Sequence, residues 1–385
     1  MRTVLVTGPG GAGRTTIAAA SALAAAGEGG RVLFLSASAS GDVLGVAPGA
    51  EPVEVAGGLW AACVDSGEHF RTELLGFQER ISAGLDLLGA RPLAGEELTE
   101  LPGSEQFALL HALRRAGRGR WDAVVVDMPP LFDALALLAL PEQLRRYIRR
   151  LLPRERQAAR ALRPMMAQLA GLPMPSQWLY EAAARWDTEL AAVQELIEAP
   201  GTTVRLVAEP GPAADRALRS ARTALALYGL RVDLLVPNRV LPADGSAWLA
   251  TLVAQQRTCL DAWCEQGWPV REVAHLGRDP RGPDDLASLD AAGTGPAPAV
   301  AEWPVEDRLA EENLLVWCVP VPGAVKSEVG LVRRDDELLL TVGAFRRVVP
   351  LPSALRRCTV TGAALTDGVL RVRFEPDPGL WPRTP

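Results

Sequence analysis

Thr3-Val4-Leu5-Val6-Thr7-Gly8-Pro9-Gly10-Gly11-Ala12-Gly13-Arg14-Thr15-Thr16 is the stretch that decides how this chain folds. Its first five residues are an apolar, β-branched run that reads as a buried strand. A glycine-rich turn follows at once, and Ile17 to Ala26 is then almost entirely helix-forming, ending at Gly27. Strand, glycine loop and helix in that order are the setting of a phosphate-binding loop. Glycines let backbone N–H groups converge on a phosphate, and the helix N-terminus adds its partial positive charge. The spacing G-x-x-x-x-G-[K]-[ST] runs from Gly8 to Thr15, with Arg14 at the lysine position. Arginine keeps the charge but presents a bulkier planar fork. The chain has a single lysine, Lys326, among 40 basic residues, so arginine at most positions reflects composition. At this position the exchange bears on chemistry.

Composition narrows the function classes. A length of 385 residues allows one large domain with an appendage, or two domains. The net charge of −6 argues against a general polyanion-binding surface, so nucleic acid is not expected as a partner. Cys63, Cys259, Cys264, Cys318 and Cys358 are scattered, without a CxxC or a Cys/His cluster. Neither a disulfide framework nor a zinc site is expected, and a reduced, cytoplasmic compartment fits that usage. The N-terminus enters the first strand directly, and no apolar run reaches transmembrane length.

Outward from the loop, Arg31 to Ser36 is a second strand reached through a helical crossover, which implies a parallel sheet. A short strand is expected around Leu59 to Val64 and a helix from Ser66 to Leu88, with another from Gln106 to Ala116. Trp121 to Asp127 reads as a central strand closed by an aspartate. A carboxylate there resembles a Walker-B element able to hold a Mg²⁺ water shell, although aspartate also serves as a turn or N-cap residue. Thr203 to Ala208, a helix from about Ala213 to Leu227, and Val232 to Asn238 continue the sheet. Between them, residues 141–200 read as a helical insertion carrying Met165, Met166 and Met174. Flexible methionines suit either ordinary helix packing or a surface for varied apolar partners. After a linker rich in Gly, Pro and Ala, six short β-type runs from Leu314 to Phe374 are separated by turn signals such as Thr366-Asp367-Gly368, giving a small antiparallel β-sandwich.

With these pieces in place the chain resembles the ArsA/Get3 branch of the deviant Walker-A P-loop ATPases. The resemblance rests on the loop at 8–16, Asp127-Met128-Pro129-Pro130, Leu101-Pro102-Gly103-Ser104-Glu105, the run from Leu135 to Pro153, and Asn238-Arg239-Val240-Leu241-Pro242. The stretch from Val321-Pro322-Gly323 to Phe374 is similar to the HSP20-like domain attached to many bacterial ArsA-type proteins. The implied fold is a doubly wound, mostly parallel α/β sheet with a helical insertion and a C-terminal antiparallel β-sandwich. The implied layout is an ATPase domain at 1–292, a linker at 293–311 and the sandwich at 312–385. The resemblance assigns nucleotide contacts to Gly8, Gly10, Gly11, Ala12, Gly13, Arg14, Thr15, Thr16 and, at the adenine, Asn238. It assigns Mg²⁺ to Thr15 and Asp127.

Departures from the family pattern set the expected activity. The family loop begins with a lysine that reaches across a dimer to the partner's phosphates, and Pro9 stands there. The aspartate that orients the attacking water after the second strand is replaced by Ser38, which offers no charged acceptor. The switch after Asp127 reads Met128-Pro129-Pro130-Leu131-Phe132, without the family's glycine and hydroxyls. Cys259 and Cys264 are spaced C-x4-C, so the family's zinc is not expected. The leading expectation is an ArsA-type homologue whose degenerate site binds Mg·ATP or Mg·ADP weakly and hydrolyses it slowly or not at all. It would act as a scaffold or as the non-catalytic partner of an active paralogue, in a homo- or heterodimer, peripheral at a membrane only through a partner. The alternatives are a working ATPase in which Arg14 does the lysine's work, and a nucleotide-independent protein that binds apolar clients.

Overall fold

A computed structural model describes residues 1–37, 41–80, 93–152, 177–243, 247–299 and 302–381. Ser38 and the methionines Met165, Met166 and Met174 lie outside the described residues. The chain divides into two compact units, Met1–Val207 with Val273–Pro296, and Ala208–Glu272 with Ala297–Pro385.

The first unit is built on β1 (Arg2–Thr7), β2 (Val32–Ser36), β3 (Val53–Ala56), β4 (Leu59–Cys63), β5 (Ala123–Asp127) and β6 (Thr202–Ala208). Their order is β3-β4-β2-β5-β1-β6. All neighbours are parallel except β3 with β4, which makes the sheet mixed at that edge. The sequence reading missed β3, whose residues are exposed or half-buried, as fits an outer strand. Helix α1 (Arg14–Gly27) covers the sheet with Ile17 and a run of alanines, small enough for close helix-to-strand approach. Helix α2 (Gly41–Leu44) is a single turn lying between β2 and β3 in the chain.

Three longer helices come next among the described residues: α3 (Ser66–Arg80), α4 (Ser104–Gly117) and α5 (Leu131–Leu151). Helix α5 runs unbroken through Pro141, which is buried in its interior. Helix α6 (Gln177–Glu198) packs on α4 and α5. The Gly/Pro/Ala-rich stretch is tied down at its beginning. Arg205, 2 % exposed on β6, donates to Ser21 Oγ, Ala292 O and Gly293 O, and Arg2 Nε donates to Gly295 O.

In the second unit, α7 (Pro212–Tyr228) starts on a proline and stops at left-handed Gly229. It is followed by β7 (Val232–Pro237) and α8 (Ala250–Glu265). The antiparallel sandwich pairs a sheet of order β10-β11-β12 with one of order β13-β14-β9-β8. Its strands are β8 (Val305–Arg308), β9 (Leu314–Pro320), β10 (Val329–Arg334), β11 (Glu337–Val342), β12 (Phe345–Pro350), β13 (Cys358–Thr366) and β14 (Val369–Pro376). Strict alternation along β11 sends Leu338, Leu340 and Val342 inward to meet Trp317, Val319 and Phe374. Leu227 of α7 belongs to the same core cluster.

Candidate functional site

Strand register brings the site together. Val6 of β1 lies opposite Asp127 of β5, and Ser36 of β2 lies opposite Asp127 on its other side. Thr7–Gly8, Ser36 and Asp127 therefore share one carboxyl edge, at the place where the sheet order reverses and such sheets receive ligands. Asp127 is 5 % exposed. Its Oδ2 accepts from Thr15 Oγ1 at 2.7 Å and from Ser36 Oγ at 2.9 Å, which offsets the cost of burying the carboxylate. A hydroxyl and a carboxylate at the foot of a glycine loop are a hard oxygen donor set of the kind Mg²⁺ takes.

The loop above them is shaped by glycine at defined points. Gly11 and Gly13 have φ of +77° and +84°, a conformation L side chains seldom adopt. Gly8 passes so close to β6 that a Cβ would sit 1.8 Å from Val207 O. Ile17 N donates to Gly13 O at 3.0 Å, which starts α1 directly from the loop, with Thr15 and Thr16 in its first turn. The loop is also fastened to the segment after β5. Thr7 Oγ1 donates to Pro129 O, Met128 N to Val6 O and Leu131 N to Gly8 O, at 2.7, 2.9 and 3.0 Å. Two prolines with three such bonds hold residues 128–131 against the loop.

Arg14 turns back on the loop itself. Its Nη1 donates to Gly8 O at 2.9 Å and to Pro9 O at 3.4 Å, while its Nε is buried without a hydrogen-bond partner among the described residues. A buried, unmet donor costs on the order of 1–3 kcal/mol, and an oxyanion entering the loop would offer it an acceptor.

The sequence profile of the anion-transporting ATPase family matches residues 1–265, and that of the HSP20-like domain found in ArsA matches residues 312–374. The chain belongs to the anion-transporting ATPase family. It is 58 % identical over its full length to "Uncharacterized protein SCO2128" of Streptomyces coelicolor, also covered in full. "Protein Rv2184c" of Mycobacterium tuberculosis is 33 % identical over 99 % of this chain and 97 % of its own. "Putative arsenical pump-driving ATPase 1" of Aquifex aeolicus is 26 % identical over 92 % of this chain and 95 % of its own.

As an ArsA-family chain it shows most of the sequence-assigned positions at one edge: Gly8 and Gly10 to Thr16 on the loop and first turn, with Asp127 beneath Thr15. Asn238 belongs to the second unit, where it is buried at the end of β7 and its backbone N donates to Ala208 O at 2.9 Å. Sequence reasoning missed Ser36, Thr7 and Pro129. Ser36 ends an apolar strand as Asp127 does, but only the adjacency of β2 and β5 shows that the two meet. No helix among the described residues is long and apolar enough to cross a membrane.

Proposed function

We propose that this ArsA-family protein binds the phosphates of Mg·ATP or Mg·ADP weakly and turns nucleotide over slowly or not at all, as the non-catalytic half of a cytoplasmic dimer with an active paralogue. The observation that carries this reading is the split within the loop. Thr15, Asp127 and Ser36 keep an oxygen donor set fit for Mg²⁺, while the Arg14 guanidinium is engaged with the carbonyls of Gly8 and Pro9. In this reading Thr15 and Asp127 hold the metal, and Gly8, Gly10, Gly11, Ala12 and Gly13 form the cradle. Arg14 supplies positive charge from the loop wall, Thr16 lies in the first helical turn, and Asn238 serves the base. Bound Mg²⁺ would neutralise phosphate charge. Ser38 offers no carboxylate to orient water, and Pro9 no cation to send to a partner. Losing such groups costs phosphoryl transfer several orders of magnitude.

Calorimetry with Mg·ATP and Mg·ADP, beside steady-state turnover, tests the reading. We expect binding that Thr15→Ala weakens about 10- to 100-fold in the presence of Mg²⁺, with no sustained turnover by the protein alone. Undetectable binding would overturn the nucleotide reading. Sustained hydrolysis lost in Arg14→Ala would overturn the non-catalytic one and assign the lysine's work to Arg14, a role its partnerless Nε favours.

A further inference from the structure

Described residues of the first unit line an open cavity of about 290 Å³ between α3, the turn before α4, α4 and α6. Nothing in the phosphate site uses it. Leu110, Leu190 and Val193 line it. Leu101, Phe107 and Trp186 also line it, and they are 58, 38 and 40 % exposed. Apolar side chains gathered around a hollow in this way mark binding surfaces more often than chance exposure. Phe107 and Trp186 meet edge to face with ring centroids 5.9 Å apart, and Phe70 adds a third ring.

The charges facing the cavity come from all three helices. Helix α3 contributes His69 and Glu73, α4 contributes His111 and Arg114, and α6 contributes Glu189. Arg114 and Glu189 neutralise one another at 3.2 Å. The two imidazoles lie tilted to one another with centroids 4.7 Å apart, and burial, helped by His69 and Arg114, pushes His111 below its ordinary value, which favours the uncharged ring at neutral pH. That leaves the exposed carboxylate of Glu73, which has no ion pair among the described residues, on the wall of a cavity that three aromatic rings also line.

Aromatic rings with one uncompensated carboxylate attract a cation that has an apolar body. The ammonium gains from the ring faces and the carboxylate, while its hydrocarbon part fills the leucine-lined interior. We propose that this cavity binds a small lipophilic monocation, of the size of an aryl-substituted quaternary ammonium. A volume near the low end for ligand pockets sets that size. An anion would meet Glu73 with Arg114 already engaged, and a neutral apolar molecule would forgo the rings and the carboxylate.

The test uses the full chain and three probes of similar size: benzyltrimethylammonium, 4-tert-butylbenzoate and neutral tert-butylbenzene, followed by NMR shifts or calorimetry. The cation should bind in preference to both others. Trp186→Ala should weaken it about three- to thirtyfold, the range a cation–π contact supplies, and Trp186→Phe should retain most of the binding. Glu73→Gln, a surface change outside the packed walls, should weaken the cation and leave tert-butylbenzene unaffected. Glu189→Gln, which releases Arg114, should move preference toward the benzoate. Equal binding of cation and neutral probe, no effect of Glu73→Gln, or no cation signal at millimolar concentration would each overturn the proposal.

Discussion

A Cβ added at Gly8 would lie 1.8 Å from the carbonyl oxygen of Val207, which belongs to a strand that cannot yield without opening the sheet. At Gly10 the same atom would meet nothing within 4 Å. The two glycines stand two residues apart in one motif, yet they answer to different constraints. Gly8→Ala should destabilise the protein by at least about 3 kcal/mol and Gly10→Ala by no more than about 0.5 kcal/mol, as read by denaturant unfolding. Equal effects would mean that the approach of β1 to β6 is looser than this geometry. Asp127 gives a second comparison. Thr15→Ala removes a hydroxyl donor to a buried carboxylate, at a cost of about 1.5–3 kcal/mol, whereas Thr15→Ser keeps the oxygen and should lose well under half of that. The same pair of variants separates hydroxyl from methyl in any Mg²⁺-dependent nucleotide binding.

Short elements show most clearly what a linear sequence conceals. Helix α9 (Gly282–Ser288) was not foreseen; it is two turns long and starts Gly282-Pro283. Its beginning is pinned by Asp285, which accepts from both Arg278 and the backbone N of Arg281, the bond from Arg278 Nη2 being 2.6 Å long. Those bonds, from Arg278 first and then the Arg281 backbone, hold its carboxyl down from 3.8 to about 2. A carboxyl depressed in the folded state stabilises above its unfolded value, and that contribution fades as pH falls from about 4 through 2. Asp285→Asn should therefore lower stability at pH 7 and make little difference near pH 2. A carboxyl that titrates near 4 in a ¹³C NMR series would refute the pin. The elements read correctly from sequence, β1, α1, β5, β6 and the hairpin strands of the sandwich, carry their reasons locally, as apolar runs, caps and turns. Those missed take their reasons from elsewhere. Edge strand β3 has little apolar signal of its own, Ser36 meets Asp127 only through sheet order, and the cation cavity is assembled from α3, α4 and α6, whose lining residues run from His69 to Val193.

At the scale of whole units, the HSP20-like sandwich is not a bead on a tether. Within the second unit it shares its core with α7 through Leu227, fully buried among Leu315, Trp317 and Phe374. Polar bonds fix the same contact: Thr223 Oγ1 donates to Pro322 O at 2.6 Å, and Arg347 Nη1 donates to Leu227 O at 2.8 Å. Tyr228 and Phe345 add an edge-to-face pair at 6.5 Å. A helix of the ATPase-family segment thus supplies a side chain that the sandwich core would otherwise lack, so the two should open together. Leu227→Ala removes buried methyl groups at their shared centre, at a cost of about 2–5 kcal/mol. Native-state hydrogen exchange reads where that cost falls. Amides of α7 and of β9 and β14 should lose protection in parallel, while those of β1 and β5 in the first unit keep theirs. Loss confined to α7 would show a sandwich that is stable on its own, with the helix merely resting on it. Parallel loss would mean that a ligand or partner engaging the sandwich acts on a helix of the ATPase-family segment through one continuous core.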